Sequence, residues 1–261
     1  MSLTDCLLRT EQEHGVLRIT FARPDKRNAL NEAMWSELDR ILKPFERASK
    51  LRAVVLVGAG GHFSAGADIA ELQLKLQDKV WMKRNHIAVQ RAQQRVYRLP
   101  MPTIALIEGS CFGGGLGLAS ACDFRIAAPS ARFSVTPARL GLAYSLLDMR
   151  RLVDLVGPAV AREMLLLSAI LDADEAKRCG LVTRLVGEDV IEAALADLLR
   201  SIADSSPRAI ATIKLSLLKL ADGQRFGDSA TRAQFDALFD GPDFAEGAAA
   251  FMEKRMPRFD L

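Results

Sequence analysis

The chain has 261 residues, 49% hydrophobic and 26% charged, with a formal net charge of +3; this size and apolar content allow a sizeable core, as one large domain or one with an appendage. The mild charge suits an anionic small molecule and excludes a nucleic-acid signature. Cys6, Cys111, Cys122 and Cys179, and His14, His62 and His86, lack metal-ligand or disulfide-framework spacing, which predicts a reducing cytoplasm and no metal site. Met1 to Arg9 lacks a signal-peptide apolar region, and no apolar run reaches the ~18 residues of a membrane span.

Val16 to Phe21 alternates like a strand, and Arg23 to Asn31 is a loop delivering the chain to a helix capped by Asn31. Met34, Leu38, Ile41, Leu42 and Phe45 recur at helical spacing up to about Ala48. Arg52 to Val57 is a second, largely β-branched strand. A long loop of small residues, Gly58 to Asp68, leads to a helix starting near Ile69 or Ala70. From Lys79 to Arg98 there is no acidic residue. Val89, Ala92, Val96 and Leu99 form the apolar stripe of a helix there, which makes Lys83, Arg84, Arg91, Arg95 and Arg98 a solvated face.

Ile104 to Ile107 is a short apolar strand, followed by a turn, Gly113-Gly114-Gly115-Leu116-Gly117, and a buried helix over Leu116 to Cys122. Each glycine inside a helix costs about 1 kcal/mol against alanine. Two readings account for that cost: backbone N–H groups at a helix start facing a developing negative charge, or tight helix–strand packing. A phosphate-binding loop needs a lysine, and none occurs between Lys83 and Lys177; the dinucleotide glycine pattern fails after Gly117.

Strands are expected at Asp123 to Ala127 and Arg132 to Val135, then a loop or broken stretch from Thr136 to Met149. Helical structure starts at Arg150, breaks at Gly157-Pro158 and resumes over Ala159 to Leu167. A capped helix from Asp172 ends at Gly180 before a strand, and helices follow near 189–203, 207–221, 227–239 and 242–254. Alternation followed by a helix-only tail implies an α/β core with a helical appendage.

Arg23 with Asn28-Ala29-Leu30, Phe63 to Asp68, the Gly113–Gly115 run, Ala173, Ala176 with Gly180-Leu181-Val182, and the ending Phe251 to Phe259 together resemble the crotonase superfamily of enoyl-CoA hydratases and isomerases. The resemblance runs from about residue 14 to 259. It implies a spiral of ββα turns over residues 1–200, binding acyl-CoA, and a helical region over 201–261 that builds homotrimers, often paired into hexamers. It also implies a thioester oxygen held by two backbone N–H groups, which fall on Ala67 and Gly114. Coenzyme A enters as part of the substrate, with no separate cofactor, nucleic acid or membrane. Lys26, Ala29, Leu30, Ala65, Asp68 and Ile69 would surround it, alongside Gly113, Pro137 and Leu140. Phe251 and Lys254 would come from a neighbouring subunit. Asp68 is equally a helix N-cap, Phe251 a trimer-packing residue and Lys254 a solvated charge.

Hydratases of the superfamily use two glutamates, at places that here hold Gly117 and Pro137, neither of which moves a proton. Ordinary water addition should therefore be slow. The dehalogenase branch needs an aspartate where Ser145 stands. Phe133 to Tyr144 is most similar to the methylmalonyl-CoA decarboxylase branch, which makes Tyr144 a substrate contact or a pocket aromatic. That branch has a histidine at the place of Ala67 and an acid at that of Gly117. Asp148 is a reserve acid or a helix cap, Glu108 braces the glycine turn, and Cys111 is a small buried residue. RNA-binding relatives carry a lysine-rich helix where Asn31 to Lys50 is nearly neutral. A catalytically weak CoA-binding protein is the non-enzymatic alternative.

Overall fold

Strand β2 (Val16–Phe21) buries Leu17, Ile19 and Phe21 in alternation, as a period of two requires. In this computed structural model, which describes residues 7–47 and 50–260, β2 is flanked by β1 (Leu8–Glu13, antiparallel) and β3 (Ala53–Gly58, parallel). Met1, Cys6 and Ala48, named above, lie outside the described residues. Strands β4 (Thr103–Ile107), β6 (Phe124–Ala127) and β9 (Arg184–Leu185) extend the sheet in parallel to the order β1-β2-β3-β4-β6-β9. A second sheet has the order β5 (Ser110–Phe112), β7 (Arg132–Ser134), β8 (Ile170–Leu171).

The two sheets are filled by a repeated path. Strand β4, then β5, then helix α4 (Gly114–Ala121) make one ββα turn; β6, β7 and α5 (Leu146–Leu167) make the next. The expected spiral is therefore present. Both faces of β3 are covered, which explains its unbroken apolar run: Val54 and Leu56 join the main core, whereas Ala53, Val55 and Val57 meet Ile191, Leu195, Leu198 and Ile202 of α7 (Ile191–Ala203). The expected boundary at residue 200 falls inside α7, because that helix packs on the sheet.

Helix α1 (Glu32–Leu42) is capped by Asn31 and buries Met34, Trp35, Leu38 and Leu42. The short α2 (Ile69–Leu74) precedes α3 (Lys79–Arg98), whose buried side is Trp81, Ala88, Ala92, Gln93 and Val96. Arg95 leaves the solvated basic face to pair with Asp39 and Glu46. Helix α5 starts at Leu146, four residues before the expected start, and turns at Gly157 (φ 73°). A reciprocal Asp172–Glu175 cap starts α6 (Ala173–Arg178). The tail is α8 (Pro207–Ala221), α9 (Ser229–Phe239) and α10 (Pro242–Met252). Among the described residues no helix is long and apolar enough to cross a membrane.

Two buried cations fasten α4 from below. The Arg125 guanidinium donates to the Ala119 (3.2 Å), Cys122 (2.6 Å) and Leu181 (2.6 Å) carbonyls, a cation at a helix C-terminus. Lys214 of α8 donates to Asp123 (2.5 Å) and to the Met101 carbonyl (2.9 Å), and the same carboxylate oxygen accepts from the Thr103 amide (2.7 Å) and hydroxyl (2.9 Å).

Candidate active site

Two loops are clamped together at the mouth of the site. Arg27 (φ 46°) and Asn28 (φ 55°) turn the first loop back on itself, and the buried Asn28 side chain donates to the Ala59 (2.8 Å) and His62 (2.6 Å) carbonyls. Ser64 Oγ donates to the Asn28 carbonyl (2.8 Å) and accepts from the Gly66 amide (3.1 Å). Leu30 then pairs in parallel with Ala67: its N–H donates to the Gly66 carbonyl (2.7 Å) and its carbonyl accepts from the Asp68 N–H (3.0 Å). In a parallel bridge of this kind the N–H of the middle residue, Ala67, faces away from Leu30.

Strand β5 lies on the other side. The Ser64 N–H donates to the Ser110 carbonyl (2.8 Å), and the Phe112 N–H to the Ser64 carbonyl (2.9 Å). Gly113 (φ 48°) then reverses the chain so that Gly114 opens α4, where first-turn N–H groups have no helical acceptor. A Cβ built on Gly114 would lie 3.9 Å from the Ala67 nitrogen, and one on Gly66 3.3 Å from the Gly114 nitrogen. The two amides are neighbours, and among the described residues neither donates to another group.

Ala65 and Ala67 are half-buried beside this pair, with Ala29 half-buried and Leu30 buried behind them; Lys26 and Ile69 are exposed at the rim. Asp68 caps α2 through the Glu71 N–H (3.3 Å) and pairs with Arg23 (2.8 Å) and Lys26 (3.6 Å). Burial alone would raise its carboxyl, but the bonds from Arg23 and the Glu71 amide, with both cations, hold it below the usual carboxylate range. Pro137 and Leu140 bound a 3-10 turn, and Leu140 is exposed. Pro137 and Tyr144 line one cavity of about 270 Å³. Phe251, 82% exposed, and Lys254 stand on the tail, and among the described residues neither is hydrogen-bonded to the loops around Ala67.

Tyr144 donates its hydroxyl to the Gly113 carbonyl, on the turn that presents Gly114. Burial, with Asp148 and Cys111 nearby, pushes this hydroxyl well above the tyrosine range. Cys111 is buried and its thiol pushed up, chiefly by desolvation, so it supplies no thiolate. The Glu108 carbonyl accepts from the Phe63 N–H (2.9 Å), bracing the loop before the glycine turn. Among the described residues no group of three or more His, Cys, Asp or Glu could hold a metal ion.

The space above Gly117 is filled from other helices. A Cβ there would lie 2.5 Å from the Gln93 amide and 3.7 Å from Asp148 Oδ1. Asp148 is not the cap of α5: Ser145 is, accepting from the Asp148 N–H (3.1 Å), while its hydroxyl donates to Asp148 Oδ2 (2.7 Å). The Gln93 amide nitrogen, turned toward the carboxylate, donates at 3.0 and 3.2 Å, and Arg151 stands at 3.4 Å. Burial raises the Asp148 carboxyl against the opposing effects of the Ser145 hydroxyl, Arg151 and His86. A cleft of about 490 Å³ reaches this group from the surface between α3 and α5. Gln93 is missing from the sequence reading. Its signal was a polar residue four positions after Val89 and three before Val96, on the buried stripe.

A spiral of ββα turns around paired, open backbone donors at a helix start defines an enzyme of the crotonase type. The chain belongs to the enoyl-CoA hydratase/isomerase family, whose profile matches residues 11–260. It is 36% identical to the mitochondrial Delta(3,5)-Delta(2,4)-dienoyl-CoA isomerase of Homo sapiens, over 82% of this chain and 68% of that protein. It is 32% identical to the carnitinyl-CoA dehydratase of Citrobacter koseri, over 94% and 95%. A crystal structure from Magnetospirillum magneticum, described as an enoyl-CoA hydratase/carnithine racemase, superposes with TM-score 0.91 at 34% identity, covering 97% of this chain and 95% of that one.

Proposed function

We propose that the chain is an acyl-CoA enzyme that holds a thioester oxygen between the Ala67 and Gly114 N–H groups and so stabilises an enolate-like intermediate. The observation that carries this reading is the pair of neighbouring amides that have no acceptor among the described residues. Each such donor is typically worth about 2.7–4 kcal/mol in the transition state. Lys26, Ala29, Leu30, Ala65, Asp68 and Ile69 border the coenzyme, and Gly113, Pro137 and Leu140 the acyl group. Phe251 and Lys254 act from a neighbouring subunit of a trimer or hexamer. The exposed Phe235, Phe239, Phe244, Phe251 and Met252 of the tail support such assembly.

Ordinary hydration is slow in this reading, because Gly117 and Pro137 carry no transferable proton. Decarboxylation of a malonyl-type thioester, which needs no carboxylate base, is the second reading, supported by the Tyr144 hydroxyl standing on the turn that presents Gly114. Incubating the pure protein with enoyl-, hydroxyacyl- and malonyl-type CoA thioesters, and following them by mass spectrometry, decides between the two. Binding without any turnover would make the protein a catalytically weak CoA-binding subunit. No binding of any acyl-CoA at millimolar concentration would end the proposal.

A further inference from the structure

We infer that Asp148 is the proton carrier of this site, reaching it from α5 and aligned by Gln93 over the bare backbone of Gly117; the inference rests on the acyl-CoA reading above. Gly117 lies three residues beyond Gly114, on the same face of α4. It therefore stands one helical turn from the donor pair, on the face that Trp35 and Gln93 pack against. No side chain rises from that position, and two from other helices fill it. The Gln93 amide stands where a Cβ would begin, and Asp148 Oδ1 is 3.7 Å from the same point. Both residues are more than nine-tenths buried.

A purely structural role for the carboxylate would be to neutralise Arg151, and the geometry speaks against it. At 3.4 Å, Arg151 is the most distant of the donors around Asp148. Its better partners are Gln94 Oε1 (2.8 Å) and the face of Tyr97 (4.3 Å), and its buried Nε has no hydrogen-bond partner among the described residues. The closer donors, Ser145 and Gln93, are neutral and orient the carboxylate, with the Ser145 hydroxyl favouring its ionised form against the effect of burial. Burial raises its affinity for a proton, as a base working near neutral pH requires. Tyr144 and Arg151 on the α5 side, and His86 on α3, are the titratable or charged groups facing it.

The step is a proton exchange. Asp148 takes a proton from the acyl carbon next to the thioester: the C–H bond breaks, an O–H bond forms on the carboxylate, and the electron pair moves to the oxygen held by Ala67 and Gly114. Reversal returns the proton, or a deuteron acquired from solvent, to carbon. No oxidant or second substrate is needed.

Butyryl-CoA in D2O tests this, with deuterium at the carbon next to the thioester followed by proton NMR and mass spectrometry, and affinity by calorimetry. The parent protein should exchange well above buffer, and Asp148→Asn should slow exchange at least about a hundredfold while affinity changes less than about threefold. The double variant Asp148→Asn/Arg151→Met removes the buried cation as well, so instability of the single variant does not obscure the result, and it should show the same loss. Exchange within tenfold of the parent in either folded variant overturns the inference, as does a parent that binds butyryl-CoA without exchanging it. A parent that binds no acyl-CoA overturns the functional reading itself.

Discussion

Gly66→Ala should disable the site while leaving most of the fold in place. Gly66 has φ +95°, and a Cβ there would meet the Phe112 carbonyl oxygen at 2.7 Å and the Gly114 nitrogen at 3.3 Å. Ordinary contact begins at 3.4 Å, so the Gly66 segment and the Phe112–Gly114 segment must part by about 0.7 Å. Neither neighbour is the free end of a side chain, so the backbone itself has to move. Left-handed strain costs roughly 1–2 kcal/mol for a residue with a Cβ. Misplacement approaching an ångström costs on the order of a hundredfold in rate. Gly223→Ala is the control, because it has a similar φ of +90° with nothing within 4 Å of the added Cβ. Urea unfolding should show both variants destabilised by about 1–2 kcal/mol, with Gly66→Ala lower still. Turnover of the fastest thioester should fall about a hundredfold only in Gly66→Ala. Equal turnover in the two variants would refute the placement of the oxyanion pair at Ala67 and Gly114.

Crotonyl-CoA hydration should be slow in the proposed reading, because Gly117 and Pro137 carry no transferable proton and Asp148 alone would serve where hydratases of the superfamily use two glutamates; hydration at about 10–10³ per second would contradict this. Tyr144→Phe should retain acyl-CoA binding, lose about 0.5–1.5 kcal/mol of stability with the bond to Gly113, and slow turnover about 10–10³-fold. Unchanged turnover would make the hydroxyl a brace of the turn and remove the decarboxylase reading. Asp68→Asn should cost about 1.5–3 kcal/mol at pH 7 in urea unfolding. The folded pKa of Asp68 lies below its unfolded value. The stability it contributes is therefore present above roughly pH 4 and fades as pH falls through the folded value. The difference between parent and variant should shrink toward pH 3, and a constant difference would show that Asp68 acts only through packing.

Strands β2, β3 and β4 were legible because their apolar residues sit on buried faces, and α1 and α6 because a side-chain cap marks each start. Strand β1 was not, since Leu-Arg-Thr-Glu-Gln-Glu is a polar edge that buries Leu8 alone. Strands β5 and β8, of three and two residues, are shorter than any pattern of period two. The small-residue turns at Ala67 and Gly114 announced themselves through glycine. The first turn of α5 was hidden because the cap at Ser145 follows a stretch without helical periodicity. That concealed how Asp148 and Gln93 meet: they lie 55 positions apart, and only the packing of α3, α4 and α5 brings them over Gly117.

The buried Lys214–Asp123 pair gives the tail a second consequence. Asp123 closes the chain segment that follows α4, and its partner arrives from α8, 91 residues later. Among the described residues, a chain trimmed before α8 would leave that carboxylate with Thr103 alone and the Met101 carbonyl without its Lys214 donor. The tail is thus a strut of α4. A shortened version of this fold that keeps the active site has to run through residue 214, and amide hydrogen exchange in α4 would register the loss of the strut before any change in the distant strands.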